Sequence, residues 1–78
     1  MGTQTVDDQI IQACANYLRA VYGEELIEWD ILDNGVEEGS GALTMNCVVR
    51  TGAQKSRWRK TFTFTGGRVT NMTWRYLG

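Results

Sequence analysis

Residues 57–76 form the stretch RWRKTFTFTGGRVTNMTWRY, which decides the fold. Two alternating runs flank Thr65, Gly66 and Gly67, a pattern typical of a β-hairpin. A two-residue turn of Gly66 and Gly67 would mix aromatic and polar side chains on both faces. We therefore expect a three-residue loop, Thr65 to Gly67, with Gly67 left-handed in a bulge, because this register gathers the apolar side chains. One face then carries Trp58, Lys60, Phe62, Phe64, Met72 and Trp74, and the other carries Arg57, Arg59, Thr61, Thr63, Val69, Asn71, Thr73 and Arg75.

Two further alternating segments precede the hairpin. In residues 24–33, Ile27, Trp29 and Ile31 point one way and Glu28, Asp30 and Leu32 the other, which indicates a half-buried strand. In residues 42–50, the inward positions are Leu43, Met45, Cys47 and Val49. We expect a long connection that ends near Gly41 and a polar loop over residues 51–56.

The N-terminal segment predicts one amphipathic helix. It should begin near Thr5, after a frayed tail of residues 1–4, and Gly23 should end it. Its apolar stripe consists of Ile10, Cys14, Tyr17, Leu18 and Val21. The expected fold is α+β, a single domain over residues 1–78 in which one helix packs across a four-stranded antiparallel β-meander (α-β-β-β-β) as a two-layer sandwich.

The amino-acid composition excludes several kinds of catalytic and metal-binding site. The sequence has no histidine and no C-x-x-C pair, which excludes a Cys/His zinc site and any mechanism with a histidine base. Cys14 and Cys47 occupy apolar positions, so we expect buried structural thiols. We expect no cofactor, no metal site and no enzymatic activity. No apolar run is long enough to span a bilayer and no signal-peptide pattern is present, so we expect a cytoplasmic protein without a membrane partner.

Charge is divided unevenly along the chain. Residues 1–38 contain all nine acidic residues and one basic residue, whereas residues 39–78 contain seven basic residues and no acidic one. Such asymmetry indicates either a nucleic-acid partner or pairing within the fold or between copies.

The outward sheet face is the first candidate site. We expect a basic binding face made of Arg50, Arg57, Arg59, Arg75 and Tyr76. Arginines beside aromatic side chains are typical of surfaces that hold a phosphate backbone and stack bases. However, Glu28 and Asp30 should share this face, where they would pair with the arginines across neighbouring strands. The sequence pI of about 5.2 also favours a protein partner over nucleic acid.

A pocket between helix and sheet is the second candidate site. Its lining would be Tyr17, Trp29, Trp58, Lys60 and Trp74. Lys60 should lie on the apolar face, where it would snorkel to the rim, stack on a tryptophan or mark a polar spot. The competing interpretation is that the tryptophans fill the core.

These observations predict a non-enzymatic interaction module. It would self-associate as a homodimer, or dock a protein partner, through its outer sheet face or an edge strand. The first alternative is a nucleic-acid-binding protein that uses the basic sheet face. The second alternative is a small-ligand binder with a pocket between helix and sheet.

Overall fold

One helix and four strands follow each other along the chain. The computed structural model describes residues 8–78, which comprise helix α1 (Asp8–Tyr17), a π-helical segment (Leu18–Tyr22), β1 (Glu25–Asn34), β2 (Gly41–Thr51), β3 (Gln54–Thr65) and β4 (Arg68–Tyr76). The strands pair antiparallel in the order β1-β2-β3-β4. The predicted α-β-β-β-β arrangement is confirmed. The predicted helix start near Thr5 and the predicted tail of residues 1–4 lie outside the described residues.

The core lies between the helix and one face of the sheet, the inner face. The helix contributes Cys14 and Leu18, and the strands contribute Leu43, Met45, Cys47, Val49, Phe62, Phe64 and Met72. All four predicted inward positions of β2 are buried, because the strict alternation of this central strand leaves one register with an apolar inner face. No element of residues 8–78 covers the other face of the sheet, which we call the outer face.

The helix ends at Gly23, as predicted. Gly23 adopts a left-handed conformation (φ 67°), and its N–H donates to the Arg19 carbonyl at 3.2 Å. The last turn is π-helical, so each residue there turns through a different angle about the axis than in an α-helix. Val21 consequently leaves the apolar stripe and is exposed, which corrects its predicted core position.

The β3–β4 hairpin differs from the predicted loop. Thr65 pairs with Arg68, so the turn consists of Gly66 and Gly67 alone, with φ of 60° and 82°. Two positive φ values are the signature of the type I′ turn, which matches strand twist. The register then shifts in β4, since Phe64 faces Val69 whereas Thr63 faces Asn71.

This shift explains why the predicted assignment of side chains to the two faces is correct although the predicted loop is wrong. One extra residue, Thr70, in β4 moves the pairing on by one residue, so that Phe62 faces Met72 and the side chains return to the faces that the three-residue loop would have given them. Every assigned position beyond the shift therefore keeps its predicted face. Val69 precedes the shift and packs against the core, so its predicted outward orientation is wrong.

Strand β1 is irregular, which its simple alternation did not predict. Its pairing with β2 shifts between Leu26 and Glu28 and again between Ile31 and Asp33. Ile27 and Leu32 are the extra residues of these two bulges. Leu26 therefore packs against the core in place of Ile27.

The connections before and after β2 were also predicted from the sequence, one correctly and one wrongly. The one after β1 ends at Gly41, as predicted, and a Cβ on Gly41 would lie 2.1 Å from the Gly35 carbonyl oxygen, so only glycine fits there. The predicted polar loop over residues 51–56 is wrong. Thr51 pairs with Gln54, which leaves a tight turn of two residues, and both strands extend further than expected.

Candidate interaction surfaces

The outer face carries three of the arginines predicted to form a binding face. Arg59 lies directly opposite Arg75 across β3 and β4, and Arg57 precedes Arg59 by two residues on the same face. All three residues are exposed. We call Arg57, Arg59 and Arg75 the arginine cluster.

The fourth predicted arginine lies apart from the arginine cluster. Arg50 stands at the end of β2 opposite Glu25, and its guanidinium binds the Glu25 carboxylate in an exposed ion pair. Within residues 8–78, the side chains of Arg57 and Arg75 make neither a hydrogen bond nor an ion pair. The positive charge of these two residues is therefore open to solvent.

Acidic residues of β1 share the outer face, and Glu28 and Asp30 line one cavity with Arg57 but form no ion pair with it. Asp30 lies opposite Asn46 of β2, which lies in turn opposite Arg59. Asn46 Oδ1 accepts a hydrogen bond from Arg59 Nε at 3.0 Å. Within residues 8–78 neither Glu28 nor Asp30 forms an ion pair with an arginine, because β2 separates β1 from β3 and places Val48 and Asn46 opposite these acids, so their predicted pairing is wrong. The outer face is acidic along β1 and basic along β3 and β4.

Tyr76 belongs to the inner face, which corrects its place in the predicted binding face. It lies directly opposite Trp58, and the two ring centroids are 5.0 Å apart in an edge-to-face arrangement. Trp58 packs against the core on the helix side. The arginine cluster and the aromatic pair therefore lie on opposite sides of the sheet.

Lys60 lies on the inner face, as predicted, and it is buried. Only 2% of the residue is exposed, and its Nζ lies 3.1 Å from Glu24 Oε1. The same ammonium lies 4.9 Å from the ring centroid of Trp58 and 5.5 Å from that of Tyr22. The predicted cation–π stacking on a tryptophan is present. We call Lys60, Glu24, Tyr22 and Trp58 the Lys60 cluster.

The Lys60 cluster neutralises a charge that the core would not otherwise tolerate. The contact to Glu24 is ionic, since Glu24 Oε1 is buried and its geometry satisfies no hydrogen bond. Two aromatic faces supply the remaining attraction, each about 0.5–2 kcal/mol. A buried ion pair adds little net stability, but loss of one partner leaves an uncompensated charge. The cluster therefore ties the helix end to β3.

The other residues of the predicted pocket are dispersed. Tyr17 packs edge-to-face on Phe62, with ring centroids 6.5 Å apart, and Trp74 packs on Tyr22 at 5.9 Å. Trp29 lies opposite Cys47 at the far edge of the inner face. The structure thus brings Trp58 and Lys60 together, with Trp74 beside them through Tyr22, and leaves Trp29 elsewhere.

Two members of the Lys60 cluster escaped the sequence-based prediction. Tyr22 and Glu24 flank Gly23, the residue that ends the helix. A lysine at an inward strand position requires a carboxylate beside it, and Glu24 is the acid that follows the end of the helix and lies next to the sheet. The need for a carboxylate near Lys60 was the signal from which Glu24 could have been predicted.

Both thiols are buried, as predicted. Burial, with a smaller contribution from the nearby Cys47, raises the pKa of Cys14 to about 12. Burial also raises the pKa of Cys47 to about 11, against an opposing influence of Lys60. Since the thiolate is the reactive form, both groups are protonated and inert at neutral pH.

Among residues 8–78, strand β4 forms one free edge of the sheet and carries exposed aromatic residues there. Trp74 is 55% exposed and Tyr76 is 62% exposed. Both lie on the inner face, and Tyr22 at the end of the helix packs on Trp74 and extends the apolar surface. We call Trp74, Tyr76 and Tyr22 the β4 patch.

Strand β1 forms the other edge and has a different character. Its two bulges interrupt the regular row of backbone groups that a further strand would need. It also carries four acidic residues: Glu25, Glu28, Asp30 and Asp33. Bulges and charges are the features by which proteins prevent edge pairing.

Comparison with known proteins finds no matching family model, no matching curated protein and no matching solved structure. Within residues 8–78, no helix is long and apolar enough to cross a membrane. The same part of the chain has no cluster of three metal-ligating side chains. Any functional conclusion therefore rests on the surfaces described above.

Proposed function

We propose that this protein is a non-enzymatic interaction module that self-associates through the edge strand β4. The observation that carries the proposal is the coincidence of a free sheet edge with the β4 patch. Exposed tryptophan and tyrosine are the residues most enriched at the centre of protein interfaces. An unpaired strand edge supplies a row of backbone donors and acceptors to a partner strand.

The backbone pattern of β4 identifies the groups available for pairing. The Leu77 N–H donates to the Arg57 carbonyl at 2.8 Å, so Leu77 points its backbone groups toward β3. Backbone groups alternate in direction along a strand. Met72, Trp74 and Tyr76 therefore present their N–H and C=O groups to the free edge, and their side chains lie on the inner face.

A second copy of the chain is the occupant that fits this edge. Antiparallel pairing of two β4 strands about a twofold axis near Trp74 would join two sheets into one of eight strands. The two β4 patches would then meet on the inner side. Arg75 would face Thr73 of the second copy and not Arg75, which avoids like charges in direct opposition.

Two tryptophans at opposite edges provide a matched test by light scattering. Trp74→Ala should lower the solution mass from dimer toward monomer, because it removes the aromatic side chain nearest the proposed axis. Trp29→Ala removes a tryptophan side chain of similar exposure, 47%, from the β1 edge and should leave the dimer intact. Circular dichroism would establish that both variants fold.

Salt dependence separates this interface from one made by charges. The β4 interface buries aromatic side chains and backbone hydrogen bonds, so the dimer should persist from low to high salt. A monomeric wild-type protein at both salts would overturn the proposal. A dimer that dissociates in high salt, or one that Trp29→Ala disrupts, would also overturn it.

A further inference from the structure

We infer that the outer face binds the phosphate backbone of nucleic acid without reading its sequence, and this inference rests on the β4 dimer proposed above. The starting point is the arginine cluster. Arg59 and Arg75 are like charges placed directly opposite each other, an arrangement that destabilises a sheet. Bound anions would relieve that repulsion.

The β4 dimer would merge two arginine clusters into one surface. Pairing about an axis perpendicular to the sheet leaves both outer faces on the same side. Arg75 of each copy then lies near the axis, with Arg57 and Arg59 on the next strand outward. Six arginines would occupy the four central strands.

The acidic residues would lie at the margins of this surface. β1 is two strands away from Arg57 and Arg59 on β3 and three strands away from Arg75 on β4, which corresponds to about 10 Å and about 14 Å at the usual strand spacing. The Debye length at physiological ionic strength is about 8 Å. The carboxylates of β1 therefore weaken the charge of Arg57, which lines one cavity with Glu28 and Asp30, and they act least on Arg75 beside the axis.

The side chains around the arginine cluster favour phosphate over an acidic protein. Around Arg59 and Arg75 they are the hydroxyl and amide groups of Thr61, Thr73, Asn46 and Asn71, whereas Arg57 lies opposite Val48 and beside Leu77. Such groups, together with arginine, make most contacts to phosphate and sugar. A protein interface would require an apolar centre, and within residues 8–78 the aromatic side chains at this end of the sheet lie on the opposite face.

The absence of aromatic side chains beside the arginine cluster in the described chain also predicts which nucleic acid binds best. Single strands are held by stacking of bases on aromatic rings. Duplex DNA presents a denser charge, about one per 1.7 Å of its axis. We therefore expect a duplex to bind more tightly than a single strand of equal length.

Fluorescence anisotropy with a labelled duplex of about 20 base pairs tests the inference. If six arginines contact phosphates, the affinity should fall about 1000-fold between roughly 50 and 200 mM salt. Replacing Arg57 and Arg75 by glutamine leaves two cluster arginines in the dimer, and the same change in salt should then cost only about 10-fold. Arg50→Gln removes the same charge from a residue already paired with Glu25 and should leave the salt dependence unchanged.

The outcomes separate the two proposals. A dimer by light scattering with no duplex binding at low salt would overturn the nucleic-acid inference and leave self-association standing. A monomer that binds the duplex would overturn self-association and the joined arginine surface together. Unchanged binding by the Arg57→Gln, Arg75→Gln variant would show that the outer face is not the site. Equal competition by polyglutamate at matched charge would identify the ligand as an acidic polypeptide and would overturn the assignment to nucleic acid.

Discussion

Arg59 and Lys60 are neighbours on β3, and their positive charges lie in opposite environments on the two faces of the sheet. Arg59 is exposed, and its Nε donates to the neutral amide of Asn46. Lys60 is buried against a carboxylate and two aromatic rings. The same type of charge is therefore a structural element on the inner face and an available contact on the outer face.

The largest expected difference between the two faces is the loss of folding stability when either of these cations is replaced. Lys60→Met should lower the free energy of unfolding by about 3–5 kcal/mol, because it leaves the Glu24 carboxylate buried without its counter-charge. Arg59→Met, the matched control, should change it by at most about 0.5 kcal/mol. Urea denaturation of both variants would measure these values.

A double variant distinguishes the ion pair from simple packing. Lys60→Met combined with Glu24→Gln removes both charges and should recover most of the lost stability. If the double variant is as unstable as the sum of the two single variants, Lys60 acts through its hydrocarbon chain and the electrostatic explanation fails.

The next largest effect is the dependence of folding stability on pH that arises from the buried thiols of the inner face. Burial raises the pKa of Cys47 from 9.0 to about 11, so folding favours the protonated thiol. The stabilisation is fully present below pH 9 and is lost as the pH rises toward 11. The wild-type protein should therefore lose stability over this range, and Cys47→Val should lose less.

An outer-face cysteine is the control for this thiol. At pH 8, a maleimide or iodoacetamide reagent should modify Thr63→Cys, which is exposed, much faster than it modifies Cys14 or Cys47. Mass spectrometry after timed quenching would locate the label. Equal rates at all three positions would contradict the burial of the native thiols.

The smallest effect concerns a polar pair on the outer face. The hydroxyl groups of Thr44 and Thr61 lie 3.0 Å apart across β2 and β3. Thr61→Val should cost about 0.5–1 kcal/mol, since this side of the sheet is accessible to water and the hydrogen bond contributes little net stability. A loss as large as that of Lys60→Met would mean that the two faces do not differ as described.

The structure brings together some residues of the predicted pocket and some of the predicted binding face. Lys60 and Trp58 could be placed together, because alternation along one strand assigns both side chains to the inner face. Tyr22 and Glu24 were missed, since they come from the end of the helix and reach Lys60 only after the chain has folded back. Tyr76 was assigned to the basic face because aromatic side chains beside arginines are typical of phosphate-binding surfaces, whereas neighbouring residues in a strand point to opposite faces, so Tyr76 points away from Arg75.

The sequence by itself determined the order of the elements, the end of the helix at Gly23 and the buried face of β2 and β3, because these follow from local periodicity and from a glycine with a required conformation. Only the tertiary structure decided the bulges at Ile27, Leu32 and Thr70, the π-helical turn that exposes Val21, and the separation of the acidic strand from the arginine cluster by β2. The physical reason is the range of the interactions. Periodicity records which side of an element is apolar, whereas the partner of a charge depends on which distant segment packs beside it.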